Sequence, residues 1–176
     1  NEAILEEKGE APKKKTECTV EMNVSAYIPE SYIKSATQRI EVYKKISLVE
    51  TVDDTVDVID ELLDRYGELP PSVAALLDVS LLRALGSSCG FTRILFQKRG
   101  NYVVFYPEKV DVRLFTLLCS ERRGSLVMSL DLKPSLTLRL KNGEDRVDAA
   151  TDFLNAYLKK KREEEEAAKP GEEGKS

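Results

Sequence analysis

Six carboxylates lie within twelve residues of this chain, and their spacing could support catalysis or cation binding: Asp53, Asp54, Asp57, Asp60, Glu61 and Asp64. Acid–base catalysis requires burial that separates the pKa values of two carboxyl groups. A calcium loop requires a turn-forming glycine among its ligands. An exposed helix provides neither, so we expect no catalytic and no metal-binding residues here. The remaining interpretations are a charged recognition surface and an ordinary solvated helix with surplus acid.

The rest of the chain offers little further catalytic chemistry. It contains no histidine, which removes the usual general base and the commonest metal ligand. Its three cysteines, Cys18, Cys89 and Cys119, are far apart and lack metal-ligand spacing. Buried free thiols in a reducing compartment are the expectation for all three. We therefore predict no cofactor in this domain.

The acidic stretch is predicted to be an amphipathic helix. Its helical spacing gives an apolar stripe composed of Val56, Ile59, Leu62, Leu63 and Tyr66. Gly67 supplies a left-handed residue at the end of the helix, and Pro70 prevents its continuation. Both are expected to be architectural, so only the carboxylates and Arg65 remain as candidates for recognition.

The elements that would surround this helix are a strand, two further helices and two hairpins with helices after them. The expected ranges are a strand over 16–24, a helix over 29–47, the acidic helix, an apolar helix over 71–88, strands over 92–97 and 102–106, a helix over 108–123, strands over 126–132 and 135–141, and a helix over 145–162. Hairpins without βαβ crossovers predict an α+β domain whose antiparallel or mixed sheet is covered by helices. The helix over 29–47 has a basic outer surface, so it could attract the acidic helix or face another partner.

Length and composition fit one domain with charged ends. The 176 residues are 41% hydrophobic with a net charge of −4, which is enough for one core. We expect a linker over 1–15, one domain over 16–162 and a disordered acidic tail over 163–176. No apolar run is expected to reach the roughly 20 residues that cross a bilayer, and no secretory signal is recognised. The first residue is not Met, which suggests a piece of a longer chain.

A second candidate surface is the first hairpin, where Arg93, Lys98 and Arg99 lie near Phe96 and Tyr102. Basic residues interleaved with aromatic rings are typical of surfaces that bind single-stranded nucleic acid. An exposed hairpin with a basic turn has the same composition. The net negative charge of the chain argues against general affinity for nucleic acid.

Three segments together resemble a known family. They are Ala26-Tyr27-Ile28-Pro29-Glu30-Ser31-Tyr32-Ile33, then Arg39 with Tyr43, then the run ELLDRYGELP over residues 61–70. This pattern resembles the C-terminal domain of bacterial transcription-repair coupling factor, the ATP-driven DNA translocase that removes stalled RNA polymerase. The resemblance covers about residues 24–85, and Tyr66 occupies a position where phenylalanine is most expected.

The resemblance implies a non-catalytic regulatory domain in a cytoplasmic bacterial protein of transcription-coupled nucleotide excision repair. The helicase-like motor, with its ATP and Mg²⁺, would lie upstream, with residues 1–15 as the linker. The domain would pack on an N-terminal region resembling the excision-repair protein UvrB, mask the surface that recruits UvrA, and restrain the motor. The parent protein would act on RNA polymerase and DNA. The residues expected to form the dock are Asp57, Asp60, Glu61, Asp64 and Arg65.

Overall fold

The chain is described by a computed structural model over residues 16–99 and 101–169, so the predictions for residues 1–15 and for the end of the tail lie outside the described residues. Within these ranges the elements follow in the order β1 (Thr19–Glu21), α1 (Ala36–Ser47), α2 (Val52–Tyr66), α3 (Pro71–Cys89), β2 (Phe91–Phe96), β3 (Tyr102–Pro107), α4 (Val112–Glu121), β4 (Leu126–Ser129), β5 (Ser135–Arg139) and α5 (Arg146–Ala168).

The five strands form one mixed sheet in the order β1-β2-β3-β5-β4. β1 runs parallel to β2, and the other three neighbouring pairs are antiparallel. Ile94 lies opposite Val20 on one side and Phe105 on the other, and Phe105 in turn lies opposite Leu136. This register aligns apolar side chains on one face of the sheet. The predicted α+β class with a mixed sheet is confirmed.

The central helix is α3, which packs against α5, β2 and the first two helices. Pro71 occupies its first turn, where the missing N–H is tolerated, and Gly90 ends it in the left-handed conformation with φ of 83°. Among the described residues this helix is long and apolar enough to cross a membrane by length and composition alone. It contains Asp78 and Arg83, so it is not an uninterrupted apolar run. Burial of Leu77, Leu82 and Leu85 in the common core is the property of a core helix.

Aromatic side chains join α5 to the sheet. The ring centroids of Phe105 and Phe153 are 4.8 Å apart, and those of Phe91 and Tyr157 are 4.9 Å apart. Both separations lie in the range of favourable tilted ring pairs. Phe91, Phe105 and Phe153 are fully buried, so this cluster contributes a large share of the apolar burial that holds helix and sheet together.

Several predicted boundaries differ from the structure. Helix α1 begins at Ala36, because the carbonyl of Pro29 accepts hydrogen bonds from Tyr32 N and Ile33 N in a separate turn, and Ser35 then caps the helix. Strand β1 is short, because the chain bends after Met22. Further differences are a later start of α4, which Asp111 caps, and shorter strands in the second hairpin.

Helix α5 continues six residues beyond the predicted end at Arg162, as far as Ala168. The first part of the predicted disordered tail is therefore helical. Glu163 and Glu164 follow Lys159 and Lys160 by one turn, and such oppositely charged pairs stabilise an exposed helix. Glu164 also lies 3.6 Å from the guanidinium of Arg113 on α4. Charge pairing therefore accounts for the six additional helical residues, which carry no apolar stripe.

Candidate protein-docking surface

Helix α2 is fixed at its N-terminus by a capping box. The side chain of Thr51 accepts a hydrogen bond from Asp54 N at 3.1 Å, and Asp54 Oδ2 accepts from Thr51 N at 3.1 Å and from Glu50 N at 3.0 Å. These backbone hydrogen bonds, that from Glu50 above all, lower the pKa of the Asp54 carboxyl group. Asp54 is thereby assigned to the fold of the helix.

The C-terminus of α2 is fixed by the segment that precedes α1. Gly67 adopts a φ of +86°, which a side chain would strain, and its N–H donates to Leu63 O at 3.1 Å. The Tyr32 hydroxyl lies 2.9 Å from Gly67 O and 3.3 Å from Leu62 O. Gly67 therefore has the architectural role expected from the sequence.

The Arg39 and Tyr43 side chains hold that preceding segment against α1. Arg39 Nη1 donates to Ile33 O at 2.8 Å and to Lys34 O at 3.0 Å. The Tyr43 hydroxyl accepts a hydrogen bond from Ile28 N at 2.8 Å. Sequence reasoning did not assign these two residues a role. Their side chains bind backbone groups of residues 28–34, so their role is to hold that segment against α1.

Helices α1 and α2 are joined by an ion pair. Lys45 Nζ lies 2.7 Å from Glu61 Oε1 and 2.6 Å from Glu61 Oε2, and Arg65 lies 4.0 Å from the same carboxylate. The guanidinium carbon of Arg65 is also 5.0 Å from the centroid of the Tyr66 ring. Of the two possibilities left open by the sequence, the structure shows attraction between the basic and the acidic helix. Two of the five predicted docking residues, Glu61 and Arg65, therefore have partners within the domain.

The other three predicted docking residues, Asp57, Asp60 and Asp64, are exposed. Within the described parts of the chain none of them has a hydrogen bond or ion pair. At 3.6 residues per turn they project from the same side of α2. The structure thus brings them together as an acidic row on the exposed side of α2.

An exposed apolar strip runs beside the acidic row. Val56 is 47% exposed and Leu63 is 44% exposed, and Val52 continues the strip toward the start of the helix. The predicted inward stripe is therefore wrong for Val56 and Leu63. The helix buries Leu62 fully and turns Val58, Ile59 and Tyr66 toward the core. Apolar side chains beside uncompensated charge are typical of a surface that binds another protein.

The described residues contain no group of three or more side chains suited to holding a metal ion. An open groove of about 290 Å³ lies between α1 and α2, lined by Leu48, Val58 and Asp57 among others. It is wide and partly charged.

The residues of the alternative surface are dispersed. Arg93 on β2 forms two hydrogen bonds to Glu21, of 2.9 Å and 2.7 Å, which lower the pKa of that glutamate. Lys98 and Arg99 are exposed in the turn of the hairpin, about 16 Å or more along the strand from Arg93 at 3.3 Å per residue. The hairpin therefore does not bring the three basic residues to one point.

Titratable groups elsewhere are explained by burial. Burial raises the pKa of Cys18 to about 11 and raises that of Cys89 further, while Cys119 is half-buried. Burial also raises the pKa of Asp78 on α3 to about 6, with a further contribution from the charges of Asp145 and Asp148. All three thiols are free.

The fold is that of an α+β domain with an exposed acidic helix. The family model described as the TRCF domain matches residues 22–114, just over half of the chain. The chain belongs to this family, the C-terminal domain of transcription-repair coupling factors.

Comparisons with individual proteins agree. The chain is 38% identical over 95 residues to the transcription-repair-coupling factor of Staphylococcus aureus. The aligned residues make up 53% of this chain and 8% of that protein. It is 33% identical over 108 residues to the transcription-repair-coupling factor of Staphylococcus epidermidis, and the aligned part makes up 61% of this chain and 9% of that protein. A crystal structure of the C-terminal domain of transcription-repair coupling factor matches with a TM-score of 0.70 and 22% identity, covering 86% of this chain and 98% of that one. The chain thus spans less than a tenth of the length of the curated relatives it matches.

Proposed function

We propose that this chain is a non-catalytic regulatory domain that docks through α2 on another region of its parent protein. The region to which it docks is the N-terminal region of the parent protein that resembles UvrB, and docking masks the surface that recruits UvrA. The parent protein is a cytoplasmic bacterial translocase whose ATP- and Mg²⁺-dependent motor removes stalled RNA polymerase from DNA during transcription-coupled repair. The domain needs no cofactor of its own for this role.

The observation that carries the proposal is the acidic row of Asp57, Asp60 and Asp64 beside the exposed Val56 and Leu63. Charge at the surface of an interface determines which partner binds and how fast, and the apolar strip supplies area to bury. Exposed ion pairs contribute roughly 0–1 kcal/mol each. A dock of this composition is releasable, as an autoinhibitory contact must be.

Glu61 and Arg65 have a second role in the proposal. Glu61 binds Lys45 inside the domain. It therefore fixes α2, which carries the acidic row, against α1, and only the exposed edge of the Glu61 side chain reaches the partner. We therefore assign direct docking to the three aspartates and positioning to Glu61 and Arg65.

The test is charge reversal in the full-length protein. The triple variant Asp57→Lys, Asp60→Lys and Asp64→Lys is expected to increase UvrA binding and DNA-stimulated ATPase activity. The matched control is Glu163→Lys, Glu165→Lys and Glu166→Lys, which makes the same change in charge on α5 and is expected to leave both activities unchanged. Unaltered UvrA binding and ATPase activity in a correctly folded α2 variant would remove the acidic row from the mechanism.

A further inference from the structure

The five-stranded sheet has one face that packs against the helices and one that no described helix covers. Ile94 and Phe96 of β2, Val103 and Phe105 of β3, and Leu136 and Leu138 of β5 belong to the common core. Side chains alternate between the two faces of a strand. The outer face therefore carries the intervening residues, which are Thr19, Glu21, Arg93, Leu95, Tyr102, Val104, Tyr106, Val127, Thr137 and Arg139.

The outer face carries two tyrosine–arginine pairs, each across neighbouring strands. Arg93 lies opposite Tyr106, with its guanidinium carbon 5.2 Å from the centroid of the ring. Arg139 lies opposite Tyr102, which is 36% exposed. The two tyrosines are four residues apart on β3, a separation of about 13 Å. Each tyrosine thus has an arginine opposite it on a neighbouring strand.

The charge of this face is opposite to that of the chain as a whole. The basic groups on the face and in the adjoining turn are Arg93, Arg139, Lys98 and Arg99, and the acidic group on the face is Glu21. The full chain has a net charge of −4, with the acidic row on α2. Electrostatic complementarity therefore favours an anionic partner on the sheet and a basic partner on the helix.

The centre of the face has little apolar area to offer a protein partner. Val104 is only 5% exposed, and Val127, which is 62% exposed, lies at the edge of the sheet on β4. Thr137 lies between these two positions. Aromatic rings and guanidinium groups, those of Tyr102, Tyr106, Arg93 and Arg139, lie at other positions of this face. Such groups stack on planar anionic ligands, and nucleic-acid bases present planar faces at every position.

We propose that the outer face of the sheet binds single-stranded nucleic acid with little sequence preference. Bases stack on Tyr102 and Tyr106, while Arg139, Lys98 and Arg99 contact phosphates. The bridge between Arg93 and Glu21 opens so that Arg93 reaches a further phosphate. A duplex keeps its bases stacked inside and so cannot use the tyrosines. This site shares no residue with the dock on α2 and is independent of it.

The test is fluorescence anisotropy of a labelled oligothymidylate of about 12 nucleotides, titrated with this 176-residue chain in about 50 mM salt. Binding should weaken with salt with a slope of about 0.7 per phosphate contact on a log–log plot. Tyr102→Leu should weaken binding about 10-fold, and Tyr102→Phe should keep it. Arg139→Ser should weaken binding and reduce the slope by about 0.7. Glu21→Gln should strengthen binding because it releases Arg93.

The matched control is Lys44→Ser, which removes one positive charge from α1 on the helical side of the sheet and should leave the affinity and the slope unchanged. Circular dichroism of each variant checks the fold. Three results would overturn the proposal: no binding by the folded chain at low salt, equal loss for Lys44→Ser and Arg139→Ser, or equal competition by a polyglutamate peptide. Stronger binding of a duplex than of the single strand would also contradict it.

Discussion

Lys45 of α1 and Glu61 of α2 form a bidentate ion pair, with distances of 2.7 Å and 2.6 Å from the ammonium to the two carboxylate oxygens. Both side chains are about two-fifths exposed, so solvent screens the attraction. The pair engages one carboxylate of the acidic helix, that of Glu61, in a contact within the domain. It leaves Asp57, Asp60 and Asp64 as the ones directed outward.

A double-mutant cycle on this pair should give a coupling free energy of about 0.5 kcal/mol, because exposed ion pairs are worth roughly 0–1 kcal/mol. The four proteins are the natural chain, Lys45→Ala, Glu61→Ala and the double variant, compared by urea unfolding. The same cycle with Asp60→Ala in place of Glu61→Ala should show no coupling. A coupling for Asp60 as large as that for Glu61 would contradict the assignment of Glu61 alone to the helix pair.

Neutralising the outward row should leave stability almost unchanged. The variants Asp57→Asn, Asp60→Asn and Asp64→Asn should each shift the free energy of unfolding by less than about 0.5 kcal/mol, because exposed substitutions without partners have small effects. Urea unfolding of each single variant provides the measurement. A loss of several times this size would show that the row serves the fold, and docking would then need other residues.

The Tyr66 hydroxyl is buried and has no hydrogen-bond partner among the described residues. Tyr66→Phe should therefore be neutral or raise the free energy of unfolding by about 1 kcal/mol, because an unpaired buried hydroxyl is costly. Tyr32→Phe is the matched comparison, since its hydroxyl approaches Gly67 O and Leu62 O, and it should cost about 1 kcal/mol. Thermal or urea unfolding distinguishes the two, and a loss at Tyr66 equal to that at Tyr32 would reveal a missed partner.

Gly86 allows α3 to approach the sheet. A Cβ atom at this position would lie 2.6 Å from Cys18 Sγ and 2.9 Å from Ile94 Cδ1. Gly86→Ala should therefore lower the free energy of unfolding by about 1–3 kcal/mol through overpacking, despite the higher helix propensity of alanine. Ala84→Gly on the same helix removes a methyl group without a clash, and should cost about 1 kcal/mol by propensity alone. A gain in stability for Gly86→Ala would show that the contact relaxes.

Asp78 should give the domain a pH-dependent stability. Burial and the nearby charges of Asp145 and Asp148 raise the pKa of this carboxyl group from 3.8 to about 6. The folded chain thus binds the proton more tightly than the unfolded chain. The stability associated with Asp78 is present below about pH 4 and is lost as the pH rises through 6.

Asp78→Asn removes this titration. It should raise the free energy of unfolding above about pH 7 by about 1 kcal/mol, after allowance for screening at a partly buried site, and the gain should fade toward pH 4. Urea unfolding at several pH values measures the difference between the two proteins. A gain for Asp78→Asn that does not vary with pH would contradict the raised pKa.

Much of the fold followed from local patterns. The apolar run and flanking Pro71 and Gly90 identified α3 nearly to the residue, because a nearly continuous apolar composition between a proline and a glycine is a local signal. The first hairpin was placed within one residue, because two runs of β-branched and aromatic residues flank a polar turn. The start of α1 was missed, because a proline suits a first helical turn and an ordinary turn equally well.

The acidic helix shows where sequence and tertiary structure divide. Its extent, its caps and its excess of carboxylates were fixed by the residues from Thr51 to Gly67, since capping and periodicity are local properties. Which side faces inward depended on α1 and on Tyr32, which lie elsewhere in the chain. Only the tertiary structure could therefore place Glu61 against Lys45 and leave Val56 and Leu63 exposed beside the three aspartates. Periodicity defines a stripe, but the neighbouring elements decide how much of that stripe is covered.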